Sequence, residues 1–378
     1  MPAIIRGFGG SVPAGSISMD QAADFAARTS AMPEAMHRKV HALYRKAGIS
    51  KRGSVLINPL LPQKDGFQDF YSIAIDAEDR GPTTADRLHR FQREAPALAS
   101  NAANDALTAS SMRPESITHL ITVTCTGFYA PGLDIDLIDQ LKLSPSTERI
   151  QVGFMGCHAS INAFRVAQAL CESDATRNVL VCCVELCSLH YQYGLDTDSI
   201  VSNAIFADGA SALVISGTEA DAEGEDTETR YPESNTEKLG IIAATGSVLV
   251  ANSTDAMTWR IGNHGFCMTL SAEVPDLITS QLRTCIEPWL AHHGLTIQEV
   301  NGWAIHPGGS RILNAAQQSL DLNHTQISPS RSVLYDHGNM SSATLPFILK
   351  RLSVERVEKP WVMLGFGPGL EIEIALIR

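Results

Sequence analysis

Short apolar runs alternate along the chain with longer stretches in which apolar positions recur every three or four residues. The short runs are bounded by glycine, proline or polar clusters and predict strands: HLITVTC (119–125), NVLVCCVE (178–185), SALVIS (211–216), NGWAIHP (301–307), WVMLGFG (361–367) and EIEIALI (371–377). The longer stretches predict helices, among them ASINAFRVAQAL after His158 and SSATLPFILKRL after Met340. Strands alternating with helices in this way predict an α/β fold.

The pattern also repeats. Cys157 lies 32 residues beyond Cys125 at the end of one strand, and Asn339 lies 33 beyond His306 at the end of another. The next strand core begins 22 residues after Cys157, at Val179, and 22 after Asn339, at Trp361. GCHASINAFRVAQAL and GNMSSATLPFILKRL share the glycine before the special residue and small residues after it. Matching offsets predict a duplicated α/β unit with halves at 1–218 and 239–378, related by a pseudo-dyad. The connector 219–238 is acidic and poor in apolar residues, and is expected to be a solvated excursion without chemistry.

Composition narrows the function. With 378 residues, 44% of them hydrophobic, the chain can bury a large core. A net charge of -12 opposes nucleic acid or an anionic membrane as the main partner. The N-terminus MPAIIRGFGGSVPAG lacks the basic and apolar regions of a secretory leader, and no apolar run reaches the roughly 18 residues of a membrane span. A cytoplasmic location without membrane insertion is expected. Eight scattered cysteines with no CxxC pair predict reduced thiols, and no residue set has metal-ligand spacing.

Three residues stand out by position. Cys157, in VGFMGCHASINAF, falls where a glycine-broken strand gives way to an apolar helix, a place where free backbone N–H groups favour a thiolate. His306 ends a strand before Pro-Gly-Gly turns the chain, and strand ends are where α/β sheets collect ligands. Asn339 follows a glycine and precedes small residues. Each alone has a plain structural explanation, as core thiol, loop histidine or helix cap. The repeat brings all three to corresponding ends of adjacent elements, facing one cavity.

The motifs GFMGCHAS, HPGG, GNMSSA and GFGPGLEIEIALI, in this order and at this spacing, resemble the chalcone synthase family, the type III polyketide synthases of the thiolase superfamily. The resemblance covers nearly the whole chain. It implies a thiolase-like duplicated αβαβα five-layer fold and a homodimer. The implied reaction condenses malonyl-CoA extenders onto an acyl-CoA starter without acyl carrier protein or cofactor. Cys157 then corresponds to the nucleophile, with His306 and Asn339 completing the triad. A cysteine that holds the acyl group separates loading from extension. Donors on His306 and Asn339 suit the enolate oxygen left by decarboxylation.

Further positions carry over. Phe206 matches a gatekeeping phenylalanine, and Met268 stands where plant members have a second one. Ala130 aligns with a methionine that crosses the plant dimer interface, and Cys125 and Cys187 align with cavity threonines. Thr126, His190 and Ser341 complete the expected cavity wall, and Gly365, Phe366, Gly367, Pro368 and Gly369 form the expected loop beside it. Between Glu34 and Asp65 the chain has no acidic residue, and Lys39 and Lys46 fall where family members bind CoA phosphates; Ala42 replaces a basic residue between them. A flexible thioether at 268 suggests room for a fatty acyl starter and a pyrone or resorcinol product. Three rivals are weaker. A 3-oxoacyl-acyl-carrier-protein synthase III shares the Cys, His and Asn but has an Asn motif where this chain has HPGG. A papain-like hydrolase would carry CGSCW, and a non-enzymatic thiolase-fold subunit would have no need of all three reactive residues.

Overall fold

The computed structural model describes residues 2–59, 68–217 and 239–378, so the proposed connector lies outside the described residues. In the first half the elements run β1 (Ala3–Ser11), β2 (Ser16–Ser18), α1 (Met19–Thr29), α2 (Glu34–Lys46), β3 (Lys51–Gly53), α3 (Thr84–Ser110), β4 (His119–Thr124), α4 (Leu133–Leu141), β5 (Glu148–Gly153), α5 (Ala159–Ser173), β6 (Asn178–Leu186), α6 (Thr197–Ile205) and β7 (Asp208–Ser216). In the second they run β8 (Gly240–Leu249), β9 (Met257–Gly262), β10 (Gly265–Leu270), α7 (Val274–His292), β11 (Gly302–Ile305), α8 (Ser310–Leu320), α9 (His324–His337), α10 (Thr344–Val354), β12 (Trp361–Gly367) and β13 (Glu371–Ile377).

Nine strands form one sheet in the order β11-β12-β13-β8-β1-β7-β6-β4-β5. The repeat is visible in that order. β4 pairs in parallel with β6, which pairs antiparallel with β7 and through it with β1. Likewise β11 pairs in parallel with β12, which pairs antiparallel with β13 and through it with β8. The halves join at β1 and β8 through three residue pairs, Ala3 with Ile242, Ile4 with Ile241 and Ile5 with Gly240.

The central strands are buried on both faces, which is why they read as continuous apolar runs. In β6, Leu180, Cys182 and Val184 face one core while Val179, Val181 and Cys183 face the other, the alternation a pleated strand imposes. The inner core is filled by α5 and α10. Helix α5 packs on β4 and β6 and also on β8 and β13; α10 packs on β11 and also on β1 and β7. These two helices are the shared middle layer of a thiolase-like fold. No described helix is long and apolar enough to cross a membrane.

Candidate active site

Both special residues of the repeat precede the middle-layer helices. After β5 the chain turns through Gly156, whose φ of +98° suits glycine, and Cys157 follows, one residue before the N-cap His158 of α5. A Cβ on Gly156 would stand 2.4 Å from Pro368 Cδ, so the loop after β12 lies directly against the nucleophile turn. In the second half, Asn339 follows α9 and Gly338 and leads into the short turn Ser341–Ala343 before α10. Its backbone is pinned to the end of α6: Asn339 N–H donates to Ile205 O at 3.0 Å, and Ala207 N–H donates to Asn339 O at 2.9 Å. The Asn339 Oδ1 accepts from Ser341 N–H at 2.8 Å, which fixes the amide and leaves Nδ2 to donate elsewhere.

Two connected spaces meet at Cys157. The smaller is lined by Cys157, Phe206, Met268, His306, Asn339 and Phe366, so the three chemically special residues share one cavity. The larger, about 1210 Å³ counted out to its mouth, is lined by Cys125, Thr126, Cys187, His190, Ser341 and Pro368 among others. Cys157, Phe206 and Met268 line both, standing at the junction. Ala130 is exposed and lines neither space within the single chain, as suits a position aligned with one that crosses a dimer interface. Lys39 and Lys46 are exposed on α2, whose C-terminal end is tied to the start of α8 by the Ser310 hydroxyl donating to Ala47 O at 2.7 Å. That contact sets the end of α2 against the start of α8.

The electrostatics depart from the sequence expectation of a resting thiolate. Burial pushes the Cys157 thiol up to about 12, opposed by hydrogen bonds from Ser341 and Asn339, while the charge of Glu185 pushes it further up. Burial takes His306 down to about 3, assisted by the charge of His158. Burial thus opposes the charged forms of both groups and works against the helix-start effect on the thiol. Neither ring nitrogen of His306 has a hydrogen-bond partner, which leaves one to accept and one to donate.

Glu185 was not foreseen from the sequence. It sits fully buried in β6 and accepts from Ser342 Oγ at 2.5 Å, Thr126 Oγ1 at 2.7 Å and Cys125 N–H at 3.0 Å. Burial raises its carboxyl above the ordinary range, against these hydrogen bonds. The only local signal was one acidic residue inside an apolar run. Trp259 and Phe266 were also missed; Trp259 Nε1 donates to Cys125 O at 2.9 Å, and Phe266 stacks on His190 with ring centroids 4.2 Å apart. Arg52 donates through Nη1 to the carbonyls of Asn203 and Phe206, placing a cation at the C-terminal end of α6 where it steadies Phe206. Among the described residues, His158, Glu371 and Glu373 bring three potential metal-ligand atoms together, but Glu373 is already paired with Arg165 and Asn162.

A labelling experiment follows from these thiols. Cys267 is exposed, so iodoacetamide should modify it whether or not an acyl-CoA is present. Because the Cys157 thiol is raised, its modification should climb about tenfold per pH unit between pH 6 and 9 without a plateau, and an acyl-CoA should protect it alone. A plateau below pH 7, read by peptide mapping, would mean a preformed thiolate.

Comparison with known proteins gives a consistent result. Residues 1–219 match the family profile of chalcone and stilbene synthases, N-terminal domain, and residues 241–378 match that of the C-terminal domain. The chain is 30% identical over 377 residues to the alpha-pyrone synthesis polyketide synthase-like Pks18 of Mycobacterium tuberculosis, covering 98% of this chain and 90% of that protein. Among solved structures it resembles PKS-I from the brown alga Ectocarpus siliculosus, with a TM-score of 0.88 and 28% identity over 100% of this chain and 98% of that one. It also resembles the C-terminal type III polyketide synthase domain of Steely1, a type I/III hybrid from Dictyostelium, with a TM-score of 0.84 and 25% identity over 100% and 99% of the two chains.

Proposed function

The chain belongs to the chalcone and stilbene synthase family and is a type III polyketide synthase, and from that premise we propose that Cys157, His306 and Asn339 carry its reaction on a fatty acyl starter. The enzyme is an acyltransferase that works by decarboxylative condensation, and its family uses acyl-CoA and malonyl-CoA. A 3-oxoacyl-acyl-carrier-protein synthase III is not favoured. The observation that carries the residue assignment is the single cavity walled by all three side chains.

In loading, the Cys157 thiol passes its proton to a free nitrogen of His306 as sulfur attacks the starter carbonyl. The C–S bond to CoA breaks, and the CoA thiolate takes the proton back from His306. Malonyl-CoA then enters and loses CO₂. Its electron pair moves into an enolate whose oxygen is held by the His306 N–H and the Asn339 Nδ2–H. The enolate carbon attacks the acyl-Cys157 thioester, a C–C bond forms, and Cys157 leaves as thiolate and takes up one proton. No electron is transferred in this cycle, so we write it without metal or redox cofactor, and without acyl carrier protein. Lys39 and Lys46 are proposed to receive the CoA phosphates, and a homodimer in the cytoplasm is the proposed working form.

The larger cavity supports the starter and product. Ile17, Ala22, Phe25, Leu56, Ile57, Met257 and Met268 give it apolar walls. Such a space suits an alkyl tail, with cyclisation to a pyrone or resorcinol after a few extensions. Met268→Phe puts a rigid ring at the junction and should lower kcat/KM for long acyl-CoA starters by about tenfold while changing short ones far less. Product masses over a panel of acyl-CoAs test both the starter and this prediction; equal losses at every chain length would remove the case for a long starter.

A further inference from the structure

Among the apolar walls of the larger cavity stands a cation that no acid of the described residues neutralises. Arg52, in β3, lines this space, and its Nη1 donates to the carbonyl oxygens of Asn203 and Phe206. Its Nε is buried without a hydrogen-bond partner, and no described residue bonds to Nη2. The acid whose charge bears on it is Asp208, but both oxygens of that carboxylate are taken. One accepts from Val55 N–H at 2.8 Å and from Ser188 Oγ at 2.6 Å, and the other accepts from Ser188 N–H at 2.7 Å.

The carbonyls at the end of α6 satisfy one nitrogen of Arg52, yet a helix C-terminus offers only about half an elementary charge. A guanidinium enclosed in this way, with donors to spare, is costly until an anion meets it. The group is also held in place. Tyr44 on α2 lies against it, with the ring centroid 5.7 Å from Cζ, and lines the same cavity. With Nη1 tied to α6 and Nε enclosed, Nη2 is the nitrogen left to reach a ligand.

The position selects the occupant. Arg52 is not on the wall of the smaller space, where His306 and Asn339 stand and where malonyl-CoA would lose CO₂. A cation fixed on the malonyl carboxylate would also stabilise it before it leaves, and so oppose that step. The larger space instead receives the acyl group on Cys157, which lines it together with Arg52. The anion an acyl group can bring there is a second carboxylate, carried on its tail.

We propose that Arg52 is a specificity-determining residue that receives a free carboxylate on the tail of the starter, so that the enzyme takes CoA monothioesters of dicarboxylic acids. This rests on the reading of Cys157 and its acyl starter given above, and specifies how the tail ends: methylenes lie along the apolar walls and the acid meets Arg52.

The test measures kcat/KM for matched pairs of acyl-CoA starters, one ending in a methyl group and the other in a carboxylate at the same carbon count, from short chains to long. In the wild type, one range of lengths should favour the carboxylate-ended member by about tenfold or more, the worth of a charge-assisted hydrogen bond. Arg52→Gln should bring that ratio to one or below. Arg52→Lys should keep part of it, since an ammonium retains the charge without the planar fork. A role confined to supporting Phe206 would lower both members together and leave the ratio as it was, which overturns the proposal. A wild-type ratio at or below one at every length overturns it with no variant needed. So does a KM for malonyl-CoA that rises in Arg52→Gln while the starter ratio stays unchanged, because the guanidinium would then serve the extender. If no acyl-CoA loads on Cys157 by intact mass, the starter reading falls as well; a wild type that loads methyl-ended starters and discriminates against carboxylate-ended ones removes the role of Arg52 alone.

Discussion

Cys157→Ala is expected to leave no starter acyl group on the protein and to lower polyketide formation by about 10⁴-fold or more. Cys157 lines both spaces and, among the residues that do, offers the nucleophile. His306 and Asn339 remain in place in this variant, so it should still release CO₂ from malonyl-CoA. Intact mass after incubation with an acyl-CoA, with CO₂ release measured in parallel, reads both halves of the prediction. An acyl adduct that persists and maps to Cys125 or Cys187, both on the wall of the larger cavity, would move the nucleophile elsewhere.

The second large effect separates the two chemical steps. Asn339→Ala should still acquire one acyl group on Cys157, because the proton of loading passes to His306, while decarboxylating malonyl-CoA about 10²-fold or more slowly. The alanine also frees Ser341 N–H, which the amide oxygen normally receives. Asn339→Asp keeps that acceptor but sets a carboxylate beside the forming enolate, so a larger loss there than in Asn339→Ala marks this position as one that faces the developing charge. His306→Ala should impair both steps, since one ring serves as base in loading and as donor in decarboxylation. Wild-type CO₂ release from Asn339→Ala would reduce Asn339 to a support for the turn before α10.

Much of this site was legible because its parts are punctuated. Glycine and proline mark the turns at Gly156, Gly308 and Gly338, and the apolar runs 361–367 and 371–377 coincide with β12 and β13. The equal spacing of Cys157 and Asn339 from their strands corresponds to the two starts of the middle-layer helices. What stayed hidden depends on distant partners. The signal at Glu185 was one acid in an apolar strand, whereas its role depends on Ser342, 157 residues away. At Cys157 the helix position is local and visible, whereas the burial that opposes a thiolate there is created by segments from both halves. Ala130 is exposed in the single chain, where a residue aligned with one that crosses a dimer interface would lie.

The two halves repeat a topology but do not own separate cores. Helices α5 and α10 each pack against strands of both halves, while the strands of the halves touch directly through three residue pairs. Neither half can expose its inner face without exposing that of the other. The duplication is therefore one of architecture and not of separate cores, and loss of either middle-layer helix strips packing from the strands of both halves.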